Sequence, residues 1–214
     1  MISIIITSWN EPETISFAIK KIIENKLDNF ELLVIAPDKE TLDVVKSFKS
    51  KKIIAIKDEG IGKPAALNLV RSKAKGDLLI LTDGDVYVGQ DSLSHLIKPF
   101  EDEKIGAVSG HPISKNKINS LFGYWAYVLT NIAHERRLSA IKNNKRFFCS
   151  GYLFAIRKEI FPDLDKKILS EDGFISHNVY EKGYKIDYSP LSKVYVKYPT
   201  NFSDWIAQKE RSAG

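Results

Sequence analysis

The strongest constraint on the fold is a rhythm in residues 1–110, where short runs rich in Val, Ile and Leu alternate with longer amphipathic segments. Continuous apolar runs of this length are typical of strands in a parallel sheet, because helices cover both faces of such strands. The pattern therefore predicts an α/β fold built on a doubly wound, mostly parallel sheet flanked by helices. The predicted strands are ISIIIT, ELLVIA, KIIAIK, DLLILT and IGAVSG.

The rhythm ends near Gly110, and the rest of the chain mixes helices with strands. Apolar residues at helical spacing predict a long helix within residues 118–142. No linker or low-complexity tract interrupts the chain, so we expect residues 1–214 to form one domain with two halves, 1–110 and 111–214. Beyond the long helix we predict a strand in RFFCSGYLFAIR, a helix in SEDGFISHNVYEKG, two short strands around the proline of KIDYSPLSKVYVKY, and a last helix in FSDWIAQKERSAG.

The composition bounds the kind of protein and its partners. Hydrophobic residues make up 43% of the chain and charged residues 28%, which is ordinary for a globular protein and excludes disorder as the main description. The 32 Lys and Arg exceed the 27 Asp and Glu, for a formal net charge of +5. Such a mild excess favours an anionic ligand or a membrane surface and does not by itself imply nucleic acid.

The compartment follows from the cysteine content and the apolar runs. Cys149 is the single cysteine, so the chain has no internal disulfide, and a reducing compartment such as the cytoplasm is expected. The first apolar run lacks a preceding basic region and is too short for a signal peptide, so we interpret it as a strand. No run reaches the roughly 18 apolar residues of a membrane span, and the chain as given is not expected to cross a bilayer.

Two aspartates separated by a glycine end the fourth predicted strand. If the backbone is still extended there, Asp83 and Asp85 project from the same side. Like charges so close repel each other unless a cation lies between them, and hard carboxylate oxygens suit Mg²⁺ or Mn²⁺. A second Asp-x-Asp, Asp163 to Asp165, follows a proline and is interpreted as a solvated turn.

Further polar residues follow the other predicted strands. In a doubly wound sheet, ligands bind in the crevice beyond the carboxyl ends of the strands, where Glu11, Asp58 and Lys63 should lie with the two aspartates. Lys63 stands between a glycine-containing loop and a helix start, an arrangement that can hold phosphate. Taken alone, Lys63 fits a surface position on the helix equally well.

Ser170, Glu171 and Asp172 precede a predicted helix in the second half. The simplest interpretation is helix capping and dipole complementation, a stabilisation of about 1 kcal/mol. The alternative is that a carboxylate here stays ionised and serves as a general base for a hydroxyl. His177, one helical turn further on, could reach the same site, although a lone helix histidine is more often structural.

Aromatic and basic side chains follow one another in and after the long predicted helix. The aromatic residues pack in the core by default, with an acceptor groove or a bilayer-contacting face as the alternative. The basic residues form either a solvated face or a contact with a membrane surface or an anionic acceptor. The two sets are Tyr124, Trp125 and Tyr127, and Arg136, Arg137, Lys142, Lys145 and Arg146.

Taken together and in this order, these segments resemble a family 2 glycosyltransferase of the GT-A fold over almost the whole chain. GT-A domains have a Rossmann-like, mostly parallel sheet flanked by helices and a mixed acceptor-side C-terminal part. Agreement at six places is far more specific than any one Asp-x-Asp. The matching segments are TSWNEPETI, GKPAALN, TDGD, SGYLFAIRKEIF, SEDGFISHNV and, in part, QKERS.

The resemblance implies an inverting transferase that moves a sugar from a nucleotide-sugar to an acceptor hydroxyl. Residues 1–110 would bind the donor, a UDP-sugar or else a GDP-sugar, and residues 111–214 the acceptor. A divalent metal, Mn²⁺ or Mg²⁺, on Asp85 with Asp83 beside it would neutralise the diphosphate. The resemblance further implies donor binding by Glu11, Asp58, Lys63, Gln208 and Arg211, a general base in Asp172, and acceptor-side roles for Ser150, Gly151 and Glu171.

The same resemblance implies a glycan or lipid-linked acceptor, with peripheral contact at the inner face of the cell membrane as a further expectation. The sequence departs from the family pattern at two places, which concern the nucleotide base and processive synthesis. Ala36-Pro37-Asp38 stands where relatives read the nucleotide base, and Ser212 stands where processive relatives carry tryptophan. Many relatives also carry membrane helices beyond this point, so the sequence fits either a compact enzyme or a fragment.

Two alternatives stay open at this point. One is a nucleotidyltransferase on a related fold, which also needs paired carboxylates and a metal but has no obvious need for Asp172. The other is a catalytically silent module that binds nucleotide-sugars or glycans; the presence of both Asp85 and Asp172 argues against it, because binding alone does not require a base.

Overall fold

The computed structural model describes residues 1–213, and their side chains as far as Glu210. It contains eight strands and seven α-helices, with short 3-10 helices at Lys98–Glu101 and Lys158–Ile160. The strands are β1 (Ile2–Thr7), β2 (Phe30–Ala36), β3 (Ile53–Lys57), β4 (Leu78–Asp83), β5 (Tyr87–Val88), β6 (Ile105–Ser114), β7 (Leu153–Arg157) and β8 (Lys185–Val196). The helices are α1 (Ile15–Glu24), α2 (Lys39–Lys46), α3 (Lys63–Lys73), α4 (Ser92–Ile97), α5 (Leu121–Lys142), α6 (Glu171–Glu181) and α7 (Phe202–Ala213).

All eight strands belong to one sheet in the order β3-β2-β1-β4-β7-β6-β8-β5. The first four strands in that order are parallel, as the apolar rhythm predicts. Strand β7 is antiparallel to both β4 and β6, whereas β6 and β8 run parallel to each other. The fold is therefore a parallel half joined to a mixed half, which confirms the predicted class.

The continuous apolar character of the central strands has a direct structural cause. In β1, Ile4 and Ile6 belong to the core on one face of the sheet, while Ile5 belongs to the core on the other face. Helix α1 covers the first face, and helix α3 covers the second. Because successive side chains of a strand point to opposite faces, both must be apolar when both faces are buried.

The prediction of two short strands around Pro190 is wrong, because β8 is a single strand. The pairing of β6 with β8 shifts register between Ser109 and His111, whose partners are Tyr188 and Lys193. Pro190 lies in the irregular stretch, where its missing N–H costs no ladder hydrogen bond. The predicted strand in residues 146–157 is shorter than expected, since only Leu153–Arg157 is extended.

Two small elements were not predicted. Strand β5 has only two residues and pairs with β8, and helix α4 has six residues. Such short elements carry too little periodicity to be read from a single sequence. Of the helices in the described residues, none has both the length and the apolar character that crossing a membrane requires.

The buried thiol provides a test of the core. Burial raises the pKa of Cys149 to about 12, and only the thiolate is a good nucleophile. We therefore expect Ellman's reagent at pH 8 to leave the native protein unlabelled and to label one thiol per chain after unfolding in guanidinium chloride. Rapid labelling of the native protein would show that this part of the core is open.

Candidate functional site

The carboxyl ends of β1, β3 and β4 surround a cavity of about 310 Å³. The register of β1 against β4 pairs Thr7 with Asp83, and Thr7 Oγ1 donates to Asp83 Oδ1 over 2.9 Å. This is the crevice where a doubly wound sheet binds its ligands. Five predicted site residues line the cavity together, namely Glu11, Asp58, Lys63, Asp83 and Asp85.

Lys63 joins the two halves of the site. Its ammonium group lies 2.7 Å from Asp83 Oδ1 and 3.0 Å from Glu171 Oε1, so it bridges the end of β4 and the start of α6. Lys63 is the first residue of helix α3, and Pro64, directly after it, favours a helix start at this point. Burial alone would lower the pKa of Lys63, but the two carboxylates outweigh it and raise the pKa well above its usual range.

Glu11 lies against the glycine of the Asp-Gly-Asp motif. Ser8 Oγ donates to Glu11 Oε2 over 2.6 Å, and a Cβ on Gly84 would stand 2.4 Å from that carboxylate oxygen and 2.5 Å from Ser8 Oγ. A side chain here would have to displace the side chains of Ser8 and Glu11, which pack directly on the Gly84 backbone. Burial, followed by repulsion from Asp85 and Asp83, raises the pKa of Glu11 to about 7.

Asp85 has no ion-pair partner among the described residues. Loss of solvent and repulsion by Asp83 raise its pKa, and Lys63 opposes that rise only in part. Within residues 1–210, no three His, Cys, Asp or Glu side chains are grouped to hold a metal ion unaided. Two neighbouring carboxylates still suit Mg²⁺ or Mn²⁺, which commonly complete their coordination with water and phosphate oxygens of a substrate.

Asp58 presents a hydrogen-bond acceptor that the described residues leave unused. Its Oδ1 is buried and has no hydrogen-bond partner. Burial raises the pKa of Asp58, and the charges of Asp38 and Glu59 add to the effect. Asp38 caps α2, because its Oδ1 accepts from the Thr41 N–H over 2.8 Å.

Asp172 is held by three hydrogen-bond donors. Its Oδ2 accepts from the Gly151 N–H, and its Oδ1 accepts from the Ser170 hydroxyl and the Gly173 N–H, each over 2.9 Å. An ionised carboxylate has about four acceptor positions, so one remains for a substrate hydroxyl. Asp172 and Lys63 line the same small cavity, and Lys63 also lines the larger cavity together with Asp83.

The other predicted site residues of the second half differ in position. Ser150 is buried, and its N–H donates to Ser109 Oγ over 3.0 Å. Gln208 on α7 lies 3.5 Å from the Tyr152 hydroxyl, measured from its Nε2. The side chain of Arg211 lies outside the described residues, as does that of Ser212.

The structure shows where several residues lie whose roles the sequence leaves open. His177 is exposed and lies 3.6 Å from Glu181 on its own helix, so it belongs to the surface of α6. Trp125 packs with Phe122 and Trp205, whereas Tyr124 and Tyr127 are exposed. The second Asp-x-Asp lies on the surface as predicted, with Asp163 paired to Arg71 and Asp165 bound to the Lys167 N–H.

Sequence reasoning missed the polar groups that orient the carboxylates. Thr7 was not singled out, although it donates to Asp83 and stands directly opposite it in the sheet. The Gly151 N–H, which fixes Asp172, was assigned to the acceptor side without this contact. The end of β1 could have indicated Thr7, because parallel strands bring their carboxyl ends to the same edge.

The chain belongs to glycosyl transferase family 2, whose family model matches residues 3–165. It is 27% identical to the poly-beta-1,6-N-acetyl-D-glucosamine synthase of Staphylococcus aureus strain COL, over 99% of this chain and 53% of that protein. The Staphylococcus epidermidis synthase is 24% identical over the same shares. The chain thus spans about half the length of these relatives.

Solved structures show the same GT-A fold. The mannosyltransferase PcManGT from Pyrobaculum calidifontis, in complex with GDP-Man and Mn²⁺, superposes with a TM-score of 0.79 at 20% identity, covering 99% of this chain and 60% of that one. GalNAc-T7 with UDP, GalNAc and Mn²⁺ has a TM-score of 0.70 at 21% identity, covering 98% of this chain and 47% of that one.

The close approach at Gly84 yields a test of the site. In Gly84→Ala the new methyl group would displace Glu11 and Ser8. We expect the Kd for a nucleotide-sugar, measured by calorimetry, to rise about tenfold, which corresponds to roughly 1.4 kcal/mol. Gly183→Asn is the control, because Gly183 has a φ of +81° that asparagine tolerates and open space around it. Unchanged affinity in Gly84→Ala would show that the Glu11 loop does not contribute to donor binding.

Proposed function

We propose that this chain transfers a glycosyl group from a nucleoside-diphosphate sugar to a hydroxyl of a glycan or lipid-linked acceptor, with inversion at the anomeric carbon. The observation that carries the proposal is that Lys63 lines two neighbouring cavities at the carboxyl end of the sheet, the larger one with Asp83 and Asp85 and the smaller one with Asp172. Membership in family 2 favours sugar transfer over nucleotidyl transfer or a silent binding module.

The donor is proposed to bind in the 310 Å³ cavity formed by residues 1–110. The unused Oδ1 of Asp58 would accept a hydrogen bond from the nucleobase or the ribose. Glu11 and Lys63 would contact the ribose and the phosphates. Structural neighbours were solved with GDP-Man and with UDP, and we favour a UDP-sugar here with a GDP-sugar as the alternative.

Asp85 and Asp83 are proposed to hold Mn²⁺ or Mg²⁺ together with the donor diphosphate. Such a metal, when bound, neutralises charge that develops on the departing nucleoside diphosphate. The two carboxylates fit this role because they lie together at the end of β4, and Asp85 has no ion pair within the described residues. The Lys63 ammonium adds a fixed positive charge beside Asp83.

Asp172 is proposed as the general base. The acceptor hydroxyl would donate to the remaining acceptor position of this carboxylate and pass its proton there as its oxygen attacks the anomeric carbon. The bond from that carbon to the diphosphate breaks at the same time, and the nucleoside diphosphate leaves. Gly151 and Ser170 aim the carboxylate, whereas Glu171 is occupied by Lys63.

Residues 111–214 are proposed to bind the acceptor, with Ser150 and Gly151 on the acceptor side, while Gln208 and Arg211 are proposed to act on the donor. Four of the five basic residues in and after α5 are exposed, and Arg137 is half-buried against Tyr188. With the exposed Tyr124 and Tyr127, this face suits peripheral contact with the inner face of the cell membrane.

Replacing the proposed base tests the mechanism. We expect Asp172→Asn to lower the rate of sugar transfer about 10³-fold, because the amide cannot take the proton. Donor binding should persist, measured as a metal-dependent rise in melting temperature across UDP-, GDP-, dTDP- and CMP-sugars. A donor at 100 times its Kd stabilises the native state by about 2.7 kcal/mol.

Asp165→Asn is the matched control, since Asp165 lies in the surface turn of the second Asp-x-Asp. It should transfer sugar at the wild-type rate. Near-normal transfer by Asp172→Asn would remove Asp172 from the role of base. Failure of every nucleotide-sugar to stabilise the wild-type protein would contradict the transferase proposal itself.

A further inference from the structure

A second cavity, of about 660 Å³, adjoins the donor cavity at Asp85. Besides Asp85 and Tyr87, its walls carry three lysines, Lys115, Lys117 and Lys197. We call it the lysine cavity. Its charge is opposite to that of the donor cavity, where four of the named side chains are carboxylates. None of the ligands proposed above occupies it.

The three ammonium groups have no carboxylate at ion-pair distance among the described residues. Lys115 Nζ lies instead over the ring of Tyr87, 4.4 Å from its centroid. Cations gathered around one concave space repel each other, and a bound anion removes that repulsion. The lysine cavity is therefore complementary to a group of high negative charge.

The loop that carries Lys115 and Lys117 is held in place by hydrogen bonds to the end of β8 and the residues after it. The Lys115 N–H donates to the Val196 carbonyl over 2.9 Å. The Asn116 side chain donates to the Tyr198 carbonyl and accepts from the Tyr198 N–H, over 2.9 and 2.8 Å. Because the loop is already fixed at Lys115 and Asn116, its backbone loses little conformational entropy when a ligand binds. This favours binding.

A buried hydroxyl in the same wall lacks a partner. Thr14 Oγ1 is buried, and no hydrogen-bond partner for it exists among the described residues. Thr14 is also the residue before α1, yet its side chain does not cap that helix. Buried polar atoms are normally satisfied, so an unpaired hydroxyl beside three unpaired lysines is consistent with a polar ligand in the cavity.

We propose that the lysine cavity binds the phosphate group of a phosphate-bearing acceptor, an assignment that rests on the proposed transferase function. Three ammonium groups match a doubly charged phosphate better than a singly charged carboxylate, and lysine is a common phosphate ligand. Because Asp85 belongs to both cavities, an anion held here lies beside the proposed reacting centre. The neutral part of the acceptor would extend from there toward Asp172.

The test is calorimetric titration of the full chain with hexyl phosphate, hexyl glucuronide, hexyl glucoside and inorganic phosphate. Divalent metal is left out, so that phosphate cannot bind through a metal on Asp85. We expect hexyl phosphate to bind at least about tenfold more tightly than the neutral glucoside, a difference of roughly 1.4 kcal/mol. Added salt should weaken that binding, because exposed charges are screened.

The variant Lys115→Gln/Lys197→Gln should lose about tenfold in affinity for hexyl phosphate. Lys117→Gln, which leaves the Tyr87 contact intact, provides the same test if the double variant melts at a lower temperature. Lys166→Gln/Lys167→Gln is the control, because it removes two exposed charges from the surface turn and should bind as the wild type does.

Equal affinity for hexyl phosphate and hexyl glucoside, or unchanged affinity in the lysine variants, would overturn the proposal. Equally tight binding of the glucuronide would overturn the preference for phosphate, and equally tight binding of inorganic phosphate would show a simple anion site rather than an acceptor site. These titrations need no turnover. Failure of the transferase function would appear separately, as absent sugar transfer by the wild-type protein.

Discussion

The ion pairs of Lys63 with Asp83 and Glu171 are the interaction on which the site depends. Asp83 ends a strand of the parallel half, and Glu171 begins a helix of the mixed half, so one ammonium group ties the two together. Asp172 follows Glu171 directly, and its position relative to the Asp-Gly-Asp motif is set through this link. All three side chains are partly buried, where opposite charges interact more strongly than in open solvent.

Charge is divided sharply across the site. Glu11, Asp58, Asp83 and Asp85 make the donor cavity acidic. Burial, and after it repulsion by neighbouring aspartates, raises the pKa values of Glu11 and Asp85. The lysine cavity on the other side of Asp85 is basic. Asp85 thus stands at the boundary between two opposite electrostatic environments, and a cation there would reduce the repulsion on the donor side.

Much of the fold could be predicted from the sequence because β1, β2 and β4 are buried on both faces, and β3 partly so, and they therefore read as apolar runs. Strand β8 could not be predicted as one strand, because Pro190 suggests a turn in the sequence. In the structure this proline lies where the pairing with β6 changes register, and that depends on residues far away in the chain. The position of the Asp-Gly-Asp motif followed from the general rule for strand ends. The ion pairs of Lys63 and the lysine cavity could not be predicted, because they join residues far apart in the chain.

We propose that Asp83 and Asp85 hold a divalent metal chiefly when a nucleoside diphosphate supplies further ligands. Electron paramagnetic resonance of free Mn²⁺ measures this directly, by titrating the protein with Mn²⁺ in the presence and absence of UDP or GDP. We predict weak Mn²⁺ binding to the protein alone and at least about tenfold tighter binding with one of the nucleotides, a gain lost in Asp85→Asn. Mn²⁺ affinity that is the same with and without nucleotide, or that survives in Asp85→Asn, would contradict the account.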